Sequence, residues 1–136
     1  MASSILDIAE GGKTRIIIAT LESAADGTAS ITTDADKPLF GMVYSWAVRP
    51  YSSGSGFQPS DNFTVTIVDN GSPSLSVVRS PAAMNAALDN ATATEATVLD
   101  ANGLTAPLAI ANRRVTFAAS GMGDTKKVDV ELCVRA

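Results

Sequence analysis

Three short stretches contain residue types that could do chemistry. They are the alternating acids of Asp34-Ala35-Asp36, the single thiol of Cys133, and the glycine-rich GMGDTK that begins at Gly121. Alternating carboxylates are typical of calcium loops, a thiol can act as a nucleophile, and a glycine-rich turn can cradle a phosphate. Each of these chemistries needs further residues around it.

The surroundings complete none of the three sites. The acids at 34–36 lack the glycine and terminal glutamate of an EF-hand loop, which favours a solvated turn. Cys133 falls on the charged side of an alternating strand, and the GMGDTK turn joins two strands without opening a helix. The sequence contains no histidine, which removes serine–histidine and cysteine–histidine nucleophiles and an ordinary zinc site. We therefore predict no enzyme, no catalytic residue, no metal ligand and no cofactor.

Charge and hydropathy limit the partners. The net charge is −4, and the ten Lys and Arg residues are scattered, which argues against a nucleic-acid partner. The longest uncharged apolar stretch, residues 38–48, is shorter than the roughly 20 residues of a transmembrane helix, so we expect no membrane partner. Residues 1–13 have no basic n-region and are not expected to be a signal peptide.

The dominant hydrophobic period along the chain is two, which predicts strands. In the last segment, apolar residues alternate with polar ones from Val128 to Arg135, and residues 63–67 and 115–117 follow the same pattern. Further strands are predicted at 14–21, 28–33, 38–48, 74–78 and 107–111, with one short helix at most, at 80–89. About eight short strands separated by turn signals predict a single antiparallel β-sandwich over residues 14–136.

Two details of register follow from pleat parity. An even loop at 121–124 would make the last two strands a hairpin, with Arg114 opposite Glu131 on the wet face. Within the strand at 38–48, alternation would place Phe40, Met42, Tyr44, Trp46 and Val48 on one face. Neither face of that strand carries a charge, so the second face is covered either by the chain itself or by another subunit.

Two segments are candidates for contact with a partner. The Ser- and Gly-rich stretch at 51–61 has the composition of a linker, yet it contains Tyr51 and Phe57, and we interpret it as a long loop of one domain. That loop is either functional or a mobile crossover. Residues 1–13 are predicted to be an N-terminal arm, set off by Gly11-Gly12, that docks on a neighbouring subunit. The predicted partner contacts are Ile5, Leu6, Ile8, Tyr51 and Phe57.

The order of features resembles that of small structural proteins of tailed double-stranded DNA bacteriophages, of the head-decoration type. The resemblance lies in an early DGTASITT, then GMVYSWAVRP, a Gly/Ser-containing loop, NFTVTIVDNG, and a closing APLAIANRRVTFAASGMGDTKKVDVELCVRA. It covers most of residues 26–136. The first thirteen residues and the stretch at 81–97 have no counterpart in it.

The resemblance implies a jelly-roll-like β-sandwich without enzymatic activity or cofactor. It implies a protein that is made in the host cytoplasm and binds the major capsid protein on the capsid exterior. It also implies self-association, with a trimer as the expected oligomer. A head–tail connector or tail-associated protein is the alternative within a virion. An adhesin module of a bacterial surface or pilus, binding through the loop at 51–61, is the alternative from another class.

Overall fold

A computed structural model of the protein describes residues 3–10, 14–70, 88–97 and 108–135. These residues form nine strands and one 3₁₀ turn, Ser53–Ser55, and no α-helix is found among them. The all-β class predicted from the period of two is therefore confirmed. The strands are β1 (Ser4–Glu10), β2 (Thr14–Glu22), β3 (Ala29–Thr32), β4 (Leu39–Pro50), β5 (Thr64–Asp69), β6 (Thr94–Thr97), β7 (Leu108–Arg113), β8 (Val115–Ser120) and β9 (Lys127–Arg135).

The strands form two antiparallel sheets. Sheet A has the order β1-β2-β9-β4, and the far side of β4 is shared by β7 along its first half and β6 along its second. Sheet B has the order β3-β8-β5. Alternate residues of both sheets meet in one apolar core, as expected of a sandwich in which each strand has one buried face. The largest fully buried side chains are Phe63, Phe117, Ile17, Leu21, Leu39, Ile67, Met122 and Leu132.

The last two strands do not form the predicted hairpin. Strand β8 pairs with β3 and β5 in sheet B, whereas β9 pairs with β2 and β4 in sheet A. The connection at 121–126 therefore crosses from one sheet to the other, and the side chain of Met122 within it is buried in the core. The predicted pairing of Arg114 with Glu131 is wrong, because Arg114 Nε donates to the Thr33 carbonyl at 2.9 Å. The alternation of apolar residues shows which face of a strand is buried. That face is the same whether two strands are hydrogen-bonded in one sheet or face each other across the core, so alternation could not exclude the observed arrangement.

Strand β4 changes face in its middle. A register shift between Val43 and Ser45 against β9 gives Tyr44 an extra position, so alternation is interrupted there. Leu39 and Val43 are fully buried before the shift, and Trp46 is 3% exposed after it. Phe40, by contrast, is 55% exposed. The expectation of one shared face from Phe40 to Val48 is therefore wrong, although Trp46 and Val48 are core residues as predicted.

The N-terminal segment belongs to the sandwich. Strand β1 pairs with β2 along seven consecutive residues, from Ser4 opposite Thr20 to Glu10 opposite Thr14. Ile5 is half-buried and packs against the core. These residues form an edge strand of their own chain instead of the detached arm predicted for residues 1–13, because the adjacent edge of β2 offers backbone partners and Ile5 gains burial against the core.

Some predictions fall wholly or largely outside the described residues. They are the strand at 74–78 and most of the helix at 80–89. Of that last segment, Leu88 is described, and it forms an isolated antiparallel bridge with Phe63.

Candidate interaction surface

The outer face of sheet A, which points away from the core, can be laid out from the strand registers. Successive rows across β2, β9 and β4 contain Thr20, Asp129 and Arg49, then Ile18, Glu131 and Ala47, then Ile16, Cys133 and Ser45, then Thr14, Arg135 and Met42. Leu6 of β1 lies beside Ile18, and the register places Ile8 beside Ile16. The first row is polar throughout, and apolar side chains occur in each of the other three rows.

The apolar part of this face is open to solvent. Leu6 and Phe40 are the large hydrophobic residues with the highest exposure among those described, at 57% and 55%. The residues between them are half-buried, so they add less exposed apolar area than Leu6 and Phe40 do. We call this set the apolar patch, and it consists of Leu6, Ile16, Ile18, Cys133, Tyr44, Met42 and Phe40. Exposed apolar surface of this extent on a folded protein usually marks a site of interaction.

Four charged side chains on the outer face of sheet A, Arg49, Glu131, Arg135 and Asp129, have interaction partners within the face. Arg49 Nε lies 3.2 Å from Glu131 Oε1, and Arg135 stacks over the Tyr44 ring with Cζ 5.0 Å from the ring centroid. Asp129 Oδ1 accepts a hydrogen bond from the Thr20 hydroxyl at 2.8 Å. A partner that covers the face would therefore not leave these charges without neighbours, which lowers the cost of desolvation.

The loop at 51–61 is fixed to the sandwich at the polar end of the same face. Its backbone forms hydrogen bonds with Lys127, through Lys127 N to Phe57 O at 2.9 Å and Tyr51 N to Lys127 O at 3.3 Å. Ser60 N donates to Met122 O at 2.8 Å, and Asn90 Nδ2 donates to the carbonyl of buried Pro59 at 2.9 Å. Its longest exposed run is residues 52–56, and Ser60 and Asp61 are exposed as well. The loop is a built part of one domain, as interpreted from the sequence, and its bonds argue against a mobile crossover.

The two aromatic residues of this loop are brought together. The rings of Tyr51 and Phe57 meet edge to face with centroids 6.4 Å apart, and Lys127 Nζ lies over both rings. Partial burial raises the pKa of Tyr51, and the negative charge of Asp129 raises it further. The two rings and the lysine therefore form one half-buried cluster.

The five predicted contact residues are divided by the fold. Leu6 belongs to the apolar patch, Ile5 points into the core, and the side chain of Ile8 lies outside the described part. Tyr51 and Phe57 lie at the other end of the outer face of sheet A. Phe40, Met42 and Ile18 were not among the predicted contacts. For Phe40 and Met42, the signal in the sequence was the absence of charge on both faces of the strand at 38–48.

The residues that could take part in chemistry have structural roles. Asp34 Oδ1 accepts from Asp36 N at 2.9 Å, which makes the Asp34-Ala35-Asp36 stretch an Asx turn. In the GMGDTK turn, Met122 N donates to Gly27 O, which holds the turn at 24–28. Cys133 is a free, half-buried thiol within the apolar patch. Among the described residues, no three His, Cys, Asp or Glu side chains are grouped closely enough to hold a metal ion.

Comparison with known proteins leaves the surface as the main guide to function. No protein-family model matches the chain, and neither a curated protein nor a solved structure is significantly similar to it. Within the described ranges, no helix has both the length and the hydrophobicity needed to span a bilayer.

Proposed function

We propose that this chain is a non-enzymatic structural protein of a bacteriophage virion, a decoration or cement protein that binds the major capsid protein on the outside of the head. The observation that carries the proposal is the apolar patch on the outer face of sheet A. Leu6 and Phe40 are each more than half exposed there, on a sheet where Arg49 is paired with Glu131 and Arg135 stacks over the Tyr44 ring. Such a face is suited to binding another protein surface.

The size of the face suits a modest contact that is repeated many times. The outer face of sheet A is five strands wide and four cross-strand rows tall, which corresponds to an area on the order of 600 Å². A standard stable interface buries about 800 Å² per partner. One copy alone would therefore bind weakly, whereas many copies on a closed lattice would gain from avidity. That arrangement is the one expected of a protein that bridges capsid subunits.

The fold and the residue types are consistent with this function. The β-sandwich is the architecture that the resemblance to head-decoration proteins implies. Among the described residues, the acids and the thiol that could do chemistry serve in turns, pairs or the patch. These features support a scaffold that works through surface contact.

The experiment is removal of the protein from heads followed by add-back. Stripped heads should lose packaged DNA at a lower temperature than decorated heads, and adding the protein back should restore them. The Phe40→Ser variant should restore them much less well, because it removes the most exposed ring of the patch. The matched control is Thr66→Ser on the outer face of sheet B, which should restore them like the parent protein.

Three results would contradict the proposal. Stripped heads could be as stable as decorated ones, or Phe40→Ser could restore them fully. The third is presence of the protein in the tail alone, which would favour the connector or tail-associated function instead.

A further inference from the structure

Strand β1 is an edge strand that carries little of the usual protection against pairing. It pairs with β2 on one side, and the described residues place no strand on its other side. Edge strands are commonly protected by charged side chains, by Pro, by a bulge or by a charge that points inward, and Asp7, on the same face as buried Ile17, is such a charge but is neutralised by Arg15. The sequence SILDIAE contains no Lys or Pro, and its register with β2 runs without a shift. Leu6, on this edge, is 57% exposed.

The polarity of β1 is symmetric about Asp7. On either side of Asp7 the sequence runs through two apolar residues to one polar residue, outward to Ser4 in one direction and to Glu10 in the other. When two copies of such a strand pair antiparallel about Asp7, each apolar position faces an apolar one. Leu6 of one copy is then opposite Ile8 of the other, and Ile5 is opposite Ala9. The strand is thus complementary to itself in one register.

The charge at the centre of this register is already balanced. Arg15 of β2 forms an ion pair with Asp7, with its Nη2 on Oδ2 and its Nε 3.3 Å from Oδ1. Arg15 Nη1 also donates to the Pro38 carbonyl at 3.1 Å, which fixes the guanidinium in place. Two Asp7 residues meeting at a two-fold axis would therefore each bring their own cation. Because each carboxylate is neutralised by the Arg15 of its own chain, the repulsion between the two opposed Asp7 side chains is reduced, and the self-complementary register can form.

From these observations we propose that β1 pairs antiparallel with β1 of a second copy about a two-fold axis at Asp7, which joins the two A sheets into one continuous sheet. The inference concerns the free protein and stands whether or not the protein decorates a capsid. The Leu6 side chains, exposed in one copy, become neighbours of apolar positions in the other. A two-fold axis perpendicular to the sheet places both apolar patches on the same side.

The first test is the mass of the purified protein in solution. Analytical ultracentrifugation should give twice the 13.9 kDa of one chain. The Leu6→Lys variant should dissociate at concentrations at least tenfold higher than the parent, because an ammonium group replaces an apolar contact beside the axis. Its thermal unfolding should show that the monomer still folds. A parent protein that is monomeric at every concentration tested would overturn the proposal.

The second test fixes the register by disulfide cross-linking in a Cys133→Ser background. Leu6→Cys and Ile8→Cys proteins are prepared separately, mixed and oxidised. The mixture should form a disulfide dimer in at least fivefold greater yield than either protein alone, because directly opposite positions in an antiparallel pair bring their Cβ atoms within about 5.5 Å. Thr66→Cys on edge strand β5, mixed with either protein, is the control and should form no more dimer than by chance collision. Equal yields in all mixtures, or cross-linking of Leu6→Cys with itself alone, would overturn the register about Asp7.

Discussion

The Nζ atom of Lys127 lies 4.3 Å from the centroid of the Phe57 ring, which ties the loop at 51–61 to the first residue of β9. A cation over an aromatic face is stabilised by the ring quadrupole, by about 0.5–1 kcal/mol at partly exposed sites. The backbone bond from Lys127 N to Phe57 O supports the same contact. The loop is therefore held by both the side chain and the backbone of one residue.

We expect Lys127→Met to lower the free energy of unfolding by about 0.5–1 kcal/mol, because it keeps the aliphatic stem and removes the charge over the rings. Chemical denaturation followed by the fluorescence of Trp46 measures the change. Lys37→Met is the matched control, since Lys37 is exposed in the turn before β4. A loss as large for Lys37→Met as for Lys127→Met would contradict the role of the rings.

Gly27 lies where the turn at 24–28 contacts the connection at 121–126. It has a φ of +82°, and a Cβ at this position would lie 3.1 Å from Gly123 N. Gly27→Ala should lower the free energy of unfolding by about 2 kcal/mol or more, through the left-handed backbone and the contact together. Gly56→Ala should lose only about 1 kcal/mol, since its φ is +80° in open space, and Gly54→Ala should be nearly neutral. Thermal denaturation of the three variants in any other order would refute this account.

At Thr125 the native residue itself has a strained backbone, so a substitution by glycine should stabilise the protein. It is a β-branched residue with a φ of +52°, in the connection that crosses between the sheets. Thr125→Gly should therefore raise the free energy of unfolding by up to about 1 kcal/mol, despite the entropy cost of glycine in the unfolded chain. Thr92→Gly, at an exposed loop residue, supplies the entropy cost alone and should destabilise. Equal destabilisation in the two variants would show that the Thr125 backbone is not strained.

The pH dependence of stability should contain a contribution from Tyr51. Its pKa is raised in the folded protein, chiefly by partial burial and then by Asp129, so the folded state retains the phenolic proton more strongly than the unfolded state. The stabilisation is present below the ordinary pKa of about 10 and is lost as the pH rises through the higher folded value. Tyr51→Phe should abolish this loss, as measured by urea unfolding at several alkaline pH values. Tyr44→Phe should retain it.

The sequence predicts which residues are buried better than it predicts which strands are neighbours. The alternation from Val128 to Val134 predicts their burial, and all four apolar residues at alternate positions are at most 1% exposed. The same alternation does not distinguish a β8–β9 hairpin from a crossing between sheets. The reason is physical: a period of two reports the direction of a side chain and contains no information on the hydrogen-bonding partner.

The composition of the apolar patch could not be predicted from the local pattern of the sequence. Phe40 was expected to share a face with Trp46, and the extra residue at Tyr44 separates them. A bulge depends on how two strands fit together, so no propensity of Val43 or Ser45 announces it. Leu6 was predicted to be a partner contact on a detached arm, and it lies instead on an edge strand, where it is 57% exposed. Its place there depends on pairing with Ile18 of β2, twelve residues further along the chain.

The pairing of β2 with β9 has a consequence for how the protein is made. Thr14 is opposite Arg135, so a central pair of the larger sheet joins residues separated by almost the whole chain. Closing so long a loop costs entropy before any ladder contact compensates for it. Sheets built from such distant strands fold in about milliseconds to seconds, far more slowly than hairpin-built ones. During synthesis on the ribosome, β2 therefore lacks its β9 partner until β9 has been synthesised. Strand β1 is synthesised before β2 and can pair with its other edge during that interval.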